Sequence, residues 1–187
     1  MQVDIYVDPV CPFAWIGYEW ITEVARHRPL DVELRFMSLA VLNAEDPAEK
    51  GLDSAWRPVR VGAALGELRP FYEAFGRAYH VRRVRPRDRA LREALTEIDA
   101  LDLLPAADDP SHDAAVRRSH DAGMAPVGLD VGIPTFHVGG TAFFGPVLSA
   151  VPRGQDAVDL FDGAVLLARN PHFSELKRTR RGDLDFT

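Results

Sequence analysis

The chain has 187 residues, 47% of them hydrophobic, which suits one domain, or one domain carrying a sizeable insertion, with enough apolar side chains for a core. A formal net charge of −6 argues against nucleic acid as the main partner, and no apolar run of about 18 residues suggests a membrane span. The single cysteine, Cys11, excludes an internal disulfide and a cysteine-based zinc site, so any disulfide chemistry is intermolecular.

In chain order, "QVDIYVD" alternates apolar Val3, Ile5 and Val7 with more polar neighbours and meets Pro9, which predicts a first strand over 2–8. The start "MQVDIYV" enters that strand without a basic or signal-type stretch, so a cytosolic protein is expected. From Pro12, the residues Trp15, Ile16, Trp20, Ile21, Val24 and Ala25 recur at helical spacing until Pro29 stops the pattern. "DVELRFMSL" alternates again and predicts a second strand over 31–39, parallel to the first in a βαβ unit. Residues 45–124 then carry helical periodicity in pieces near 53–67, 69–79, 87–102 and 111–122, punctuated by prolines. Strand character returns in "PTFHVGGTAFFGP", where Gly139-Gly140 joins two short runs as a hairpin, 155–168 predicts a last amphipathic helix, and only the last few residues read as a loose tail. The expected organisation is a core of residues 1–44 and 125–187 interrupted by a helical insertion over 45–124.

The chemistry concentrates in "DPVCPFAW", Asp8 to Trp15. A cysteine at a helix N-terminus faces unpaired backbone N–H groups and the positive end of the helix dipole, both of which favour the nucleophilic thiolate. Pro12 suits the first helical turn because it has no N–H to satisfy. Position 14 lies one turn from Cys11, where a second thiol would resolve a mixed disulfide; Ala14 leaves that task to a thiol from outside. The alternative for Cys11 is a buried cysteine acting as a small hydrophobe.

Around it stand further candidates: Phe13 within the same turn; Trp15, either at the thiol, on a flat substrate or packed against the insertion; and Asn43, either reaching a ligand or capping the chain. His80, His112, His120, His137 and His172 form no metal spacing, and His137 is expected to be structural. Arginines 82, 83, 85, 87, 89 and 92 offer partners for a carboxylate of a small thiol, with solvated faces as the alternative.

"DPVCPFAW", "MSLAVLN", "RRSHDAGM", "VGIPTFHVGGTAFFGPVLSAVPRG" and "PHFSELKRTR" together resemble the DsbA-like thioredoxin-fold family of mycothiol-dependent nitroreductases. The stretch 131–154 is the most specific of these anchors. The resemblance implies an α/β thioredoxin-like fold with a helical insertion, a cytosolic setting, mycothiol as co-substrate without a metal, and a homodimer. It places Ile133 and a cis Pro134 beside the active cysteine, with Cys11 as the nucleophile. The departure is Cys-Pro-Phe-Ala in place of a dithiol motif, which rules out an intramolecular disulfide cycle. The resemblance also implies a thiol-dependent oxidoreductase acting on nitroaromatic or disulfide substrates. The alternatives are a thiol-transferase or isomerase of the kappa-transferase and chromene-carboxylate isomerase type, and a non-catalytic small-molecule binder.

Overall fold

The computed structural model describes residues 1–48, 51–180 and 182–186. β1 (Gln2–Val7), α1 (Pro12–His27) and β2 (Asp31–Phe36) form the βαβ unit, with β1 and β2 parallel from Gln2↔Asp31 to Val7↔Phe36. β3 (Thr135–Val138) pairs antiparallel with β1, and β4 (Thr141–Phe144) with β3, giving the sheet order β2-β1-β3-β4. The β3–β4 turn is Gly139-Gly140, at φ 55° and 87°; both central positions need left-handed backbone, which glycine adopts without a Cβ penalty.

Side-chain alternation assigns the two faces. Ile5 lies opposite Phe136, whose ring meets Trp20 of α1 edge-on at 5.5 Å. Trp20 Nε1 donates to the carbonyl of Ala157 (3.0 Å) in α7 (Gly154–Ala168), so α1 and α7 cover that face together. Glu23 fastens the pair, accepting from the Gly154 amide at 3.0 Å and pairing with Arg153 at 3.4 Å. Tyr6 points the other way, onto α6 (Asp113–Met124), where a Cβ on Gly123 would stand 2.6 Å from its ring.

β2 ends three residues earlier than the sequence pattern suggests. The chain turns there into a short helix, α2 (Leu39–Leu42), because its first amides have side-chain acceptors: Asp8 Oδ2 takes the Leu39 N–H (2.6 Å) and Ser38 Oγ that of Val41 (3.3 Å). Between α2 and α6 run α3 (Trp56–Ala64), α4 (Leu68–Gly76), a π-helical turn (Arg77–Val81), α5 (Arg87–Glu97) and 3₁₀ turns over Leu101–Asp108 and Pro110–His112. These helices gather round Trp56, Val59, Phe71, Phe75, Leu91 and Leu95, a second apolar cluster beside the sheet core. Arg57 is buried there between Asp88 (2.7 Å) and Asp108, and Arg60 pairs with Asp113 at 2.7 Å.

The C-terminal segment is not the loose tail that composition suggests. Residues 171–180 are exposed, but Leu184 and Phe186 sink half-buried onto the sheet core, and the Asp185 amide donates to the Ser149 carbonyl at 2.8 Å.

Candidate active site

β1 delivers the chain to the site and α1 departs from it. The Cys11 amide closes a turn onto the Asp8 carbonyl (3.1 Å), and the Cys11 carbonyl accepts from the Trp15 amide (3.1 Å), starting the helix with Cys11 as N-cap and Pro12 in its first turn. The thiol donates to the carbonyl of Ile133 at 3.6 Å, and the Ile133–Pro134 bond is cis. Gly17, nearly two turns along α1 from Cys11, faces Pro134: a Cβ there would lie 3.0 Å from its ring, so the helix rests directly on this loop. The structure thus brings together Cys11, Pro12, Phe13, Ala14, Ile133 and Pro134.

The electrostatics of Cys11 correct the expectation of a ready thiolate. The amides of Ala14 and Phe13 do point at the sulfur and favour its anion, as a helix start should. Burial outweighs them: Cys11 is 4% exposed, and with Asp8 nearby its pKa is pushed up to about 12. In this conformation the group is a neutral thiol.

Asp8, wholly buried, accepts from the amides of Val10 (2.7 Å) and Leu39 (2.6 Å), one per oxygen. Its pKa is nevertheless raised to about 7, because burial penalises the carboxylate more than two amides reward it. It ties the loop preceding Cys11 to α2.

An aromatic wall from the inserted helices stands against α1. Trp15, 3% exposed, stacks on His80 (6.1 Å between centroids) and leans on Tyr72 (5.8 Å) and Tyr18 (6.0 Å). α4 reaches Trp15 only because Gly76 has no Cβ; one placed there would fall 2.0 Å from the indole. Of the alternatives for Trp15, packing against the inserted helices is what the structure contains. His80 Nε2–H donates to the Pro9 carbonyl at 2.8 Å, and burial lowers its pKa to about 4, leaving the imidazole neutral. Two buried polar atoms in this wall, Trp15 Nε1 and the Tyr72 hydroxyl, have no hydrogen-bond partner among the described residues. Burial above all holds the Tyr72 phenol protonated, so both are donors.

Asn43 is exposed at the end of α2, where its amide closes the helix onto Leu39 (2.8 Å). Most of the candidate arginines are engaged elsewhere: Arg82 and Arg89 with Glu93, Arg92 with Asp88, and Arg85 and Arg87 around Tyr79. His137 meets the Gly123 carbonyl (3.1 Å) and the Tyr6 ring (4.5 Å). Among the described residues no group of three or more His, Cys, Asp or Glu side chains has a metal-binding arrangement. Sequence reasoning passed over Asp8 although it stands in the decisive stretch; a carboxylate just past a strand and three residues before the lone cysteine is a signal that was available. Tyr72 and His80 come from a distant segment and carry no linear signal.

A β-α-β … β-β-α chain with this sheet order, a cysteine at the start of the first helix, a cis-proline loop against it and helices inserted between β2 and β3 is a DsbA-like thioredoxin fold with a helical insertion. Solved structures agree: 2-hydroxychromene-2-carboxylate isomerase superposes with a TM-score of 0.62 at 13% identity, covering 88% of this chain and 94% of that one. The cytosolic disulfide reductase DsbM from Pseudomonas aeruginosa, solved with GSH, superposes with a TM-score of 0.58 at 17% identity, covering 89% of this chain and 100% of that one. Residues 10–178 match the model of the Rv2466c-like family, described as mycothiol-dependent nitroreductase Rv2466c, and the chain belongs to that family. The uncharacterized protein Rv2286c of Mycobacterium tuberculosis (strain ATCC 25618 / H37Rv) is 33% identical over 190 residues, covering 95% of this chain and 82% of that protein.

Proposed function

We propose that the protein is a monothiol disulfide reductase that uses mycothiol, with Cys11 as nucleophile. The observation that carries this is the placement of the Cys11 sulfur between the Phe13 and Ala14 amides and the Ile133 carbonyl, with no second cysteine in the sequence. The Cys11 thiolate attacks the mycothiol sulfur of a mixed disulfide between mycothiol and a substrate thiol. A Cys11–mycothiol disulfide forms and the substrate leaves as its thiolate, which takes up a proton. A second mycothiol thiolate then attacks the mycothiol sulfur of that adduct, releasing mycothiol disulfide and Cys11 thiolate. The net exchange turns the mixed disulfide and one free mycothiol into substrate thiol and mycothiol disulfide, and Ala14 makes the external thiol obligatory. The Ala14 and Phe13 amides stabilise the thiolate as nucleophile and as leaving group. Trp15 Nε1–H and the Tyr72 hydroxyl supply donors to a ligand at the aromatic wall, Pro12 and Pro134 shape the rim, and the Ile133 carbonyl releases the thiol proton when the sulfur reacts.

Nitroaromatic substrates belong to the same proposal through the family description. A cytosolic setting is supported by the likeness to a cytosolic reductase, and no helix among the described residues is long and apolar enough to cross a membrane. The buried, protonated Cys11 favours one second reading, in which the protein activates a bound mycothiol without covalent attachment, as a transferase or isomerase. Mycothiol-dependent reduction of a mixed disulfide, followed for the parent and Cys11→Ser, tests the proposal. Turnover that needs both mycothiol and Cys11 is expected; turnover undiminished in Cys11→Ser excludes covalent catalysis and leaves the second reading.

A further inference from the structure

The stretch "RRSHDAGM" lies on α6, away from the cysteine, yet its polar groups fasten the two segments that border the site. Ser119 Oγ–H donates to the Phe36 carbonyl (2.7 Å) and His120 Nδ1 accepts from the Ser38 amide (3.2 Å), both where β2 turns into α2. The Gly123 carbonyl accepts from His137 Nε2–H (3.1 Å) in β3, the strand that follows the cis Ile133–Pro134 bond. The amide next to that of Ser38 belongs to Leu39 and is held by Asp8 Oδ2 at 2.6 Å, while the Asp8 carbonyl accepts from the Cys11 amide at 3.1 Å. A chain of contacts thus runs from His120 through Ser38, Leu39 and Asp8 to the loop before the cysteine.

The Ser38 amide needs the lone pair of a neutral ring. His120 is buried and offers Nδ1 as acceptor, which leaves its proton on Nε2; an imidazolium carries N–H on both nitrogens and has no acceptor to give. Burial pulls the His120 pKa below 6.5, with Asp121 opposing and Arg117 assisting, so the neutral ring is the form present at neutral pH. At Asp8 desolvation works against the carboxylate; the Leu39 amide favours it more than the Val10 amide does, Arg87 of α5 adds to them, and Glu45 opposes it. The charge on Asp8 in turn disfavours the Cys11 anion.

We propose that His120 is a positioning residue for Cys11: its grip on the Ser38 amide keeps the Leu39 amide on Asp8, and so decides how far the carboxyl before the cysteine is charged. The inference rests on the proposed function only in taking Cys11 as the reactive centre. Without an acceptor for Ser38 the turn relaxes and Asp8 Oδ2 loses the Leu39 amide. The carboxyl then keeps its proton to higher pH, and the Cys11 anion meets less opposing charge. His120 acts through the turn between β2 and α2, not on the sulfur itself.

The test follows the Asp8 side-chain carboxyl by carbon NMR across pH in the full chain, beside the rate at which N-ethylmaleimide alkylates Cys11, which the thiolate fraction sets. His120→Leu is expected to raise the Asp8 midpoint by about 0.5–1 pH unit from its parent value of about 7, and to quicken alkylation at neutral pH about twofold. His120→Asn, whose Oδ1 stands in for Nδ1 and accepts the same amide, restores both parent values. When Asp8→Asn is already present, adding His120→Leu is expected to leave the alkylation rate unchanged. An Asp8 midpoint unmoved in His120→Leu, or the same quickening with and without Asp8→Asn, overturns the proposal, because a residue that merely stabilises α6 would loosen the site without passing through the carboxyl. One measurement needs no variant: nitrogen NMR of the parent is expected to find the His120 ring proton on Nε2, and a proton on Nδ1 at neutral pH overturns the proposal. None of these readouts uses mycothiol. If Asp8 and Cys11 respond to His120 but mycothiol disulfide leaves no adduct on Cys11, the positioning role stands and the proposed function falls; an adduct with an unmoved Asp8 gives the reverse.

Discussion

Replacing Asp8 with Asn isolates the one ionisable group buried in the loop before Cys11. In the folded chain the Asp8 carboxyl titrates at about 7, against about 3.9 when unfolded. The sign follows from proton uptake. Between these values the folded state holds a proton that the unfolded state has lost, so stability is highest below about pH 4 as far as this group is concerned, falls as pH rises towards 7, and levels off above it. At 1.36 kcal/mol for each pH interval, the difference between pH 4 and pH 8 amounts to an upper bound of about 4 kcal/mol. Asn carries no charge and removes this dependence, but its NH₂ confronts one of the amides of Val10 and Leu39 that the carboxyl now satisfies, at a cost of about 1–3 kcal/mol. The two stability curves are therefore expected to converge or cross: Asp8→Asn is the less stable protein at pH 4.5 (about half a pH interval above the unfolded carboxyl pKa) and matches or exceeds the parent at pH 8. Urea unfolding at half-unit pH intervals, read as the difference between the two proteins, measures this. Removing the charge also favours the Cys11 thiolate, so alkylation at neutral pH is expected to quicken. Parallel stability curves across this range refute the assignment of a raised pKa to Asp8.

Ala14→Cys places a second sulfur one helical turn from Cys11; on oxidation it is expected to lose about two mass units and to expel a small thiol bound to Cys11, whereas the parent holds that adduct until thiol is added. Because Ala14 is 0% exposed, the same variant should lose about 1–3 kcal/mol of stability by overpacking, measurable by urea unfolding. Arg57→Ala removes one of the two guanidiniums on Asp88, leaving Arg92, and is expected to cost about 1.5–3 kcal/mol in the same assay, with a cost below about 1 kcal/mol showing that the pair is not a stabilising contact. Gly76→Ala drives a Cβ into Trp15 and should shift the indole fluorescence while perturbing reaction at Cys11; an unaltered spectrum would show that α4 yields instead.

The βαβ unit, the hairpin and the last helix were legible because their patterns are local: alternation in "QVDIYV", helical spacing after Pro12, and the Gly-Gly turn. Cys11 at the helix start was legible for the same reason. Its protonation was not, because burial of the sulfur depends on Ile133 and on helices contributed from 68 to 81, which no window around Cys11 contains. The end of β2 was overextended since its acceptor, Asp8, is 31 residues away from the Leu39 amide it captures. The C-terminal segment shows the same limit: "GDLDF" has the composition of a loose end, whereas Phe186 meets the His80 ring and the Asp185 amide the Ser149 carbonyl, both far away in sequence.

The most direct test of covalent catalysis by Cys11 is intact-mass spectrometry of the parent after incubation with mycothiol disulfide. A single mycothiol adduct is expected, located on Cys11, absent from Cys11→Ser, stable on removal of excess reagent and released when free mycothiol is added. A parent protein that stays unmodified, although N-ethylmaleimide labels Cys11 under the same conditions, contradicts it.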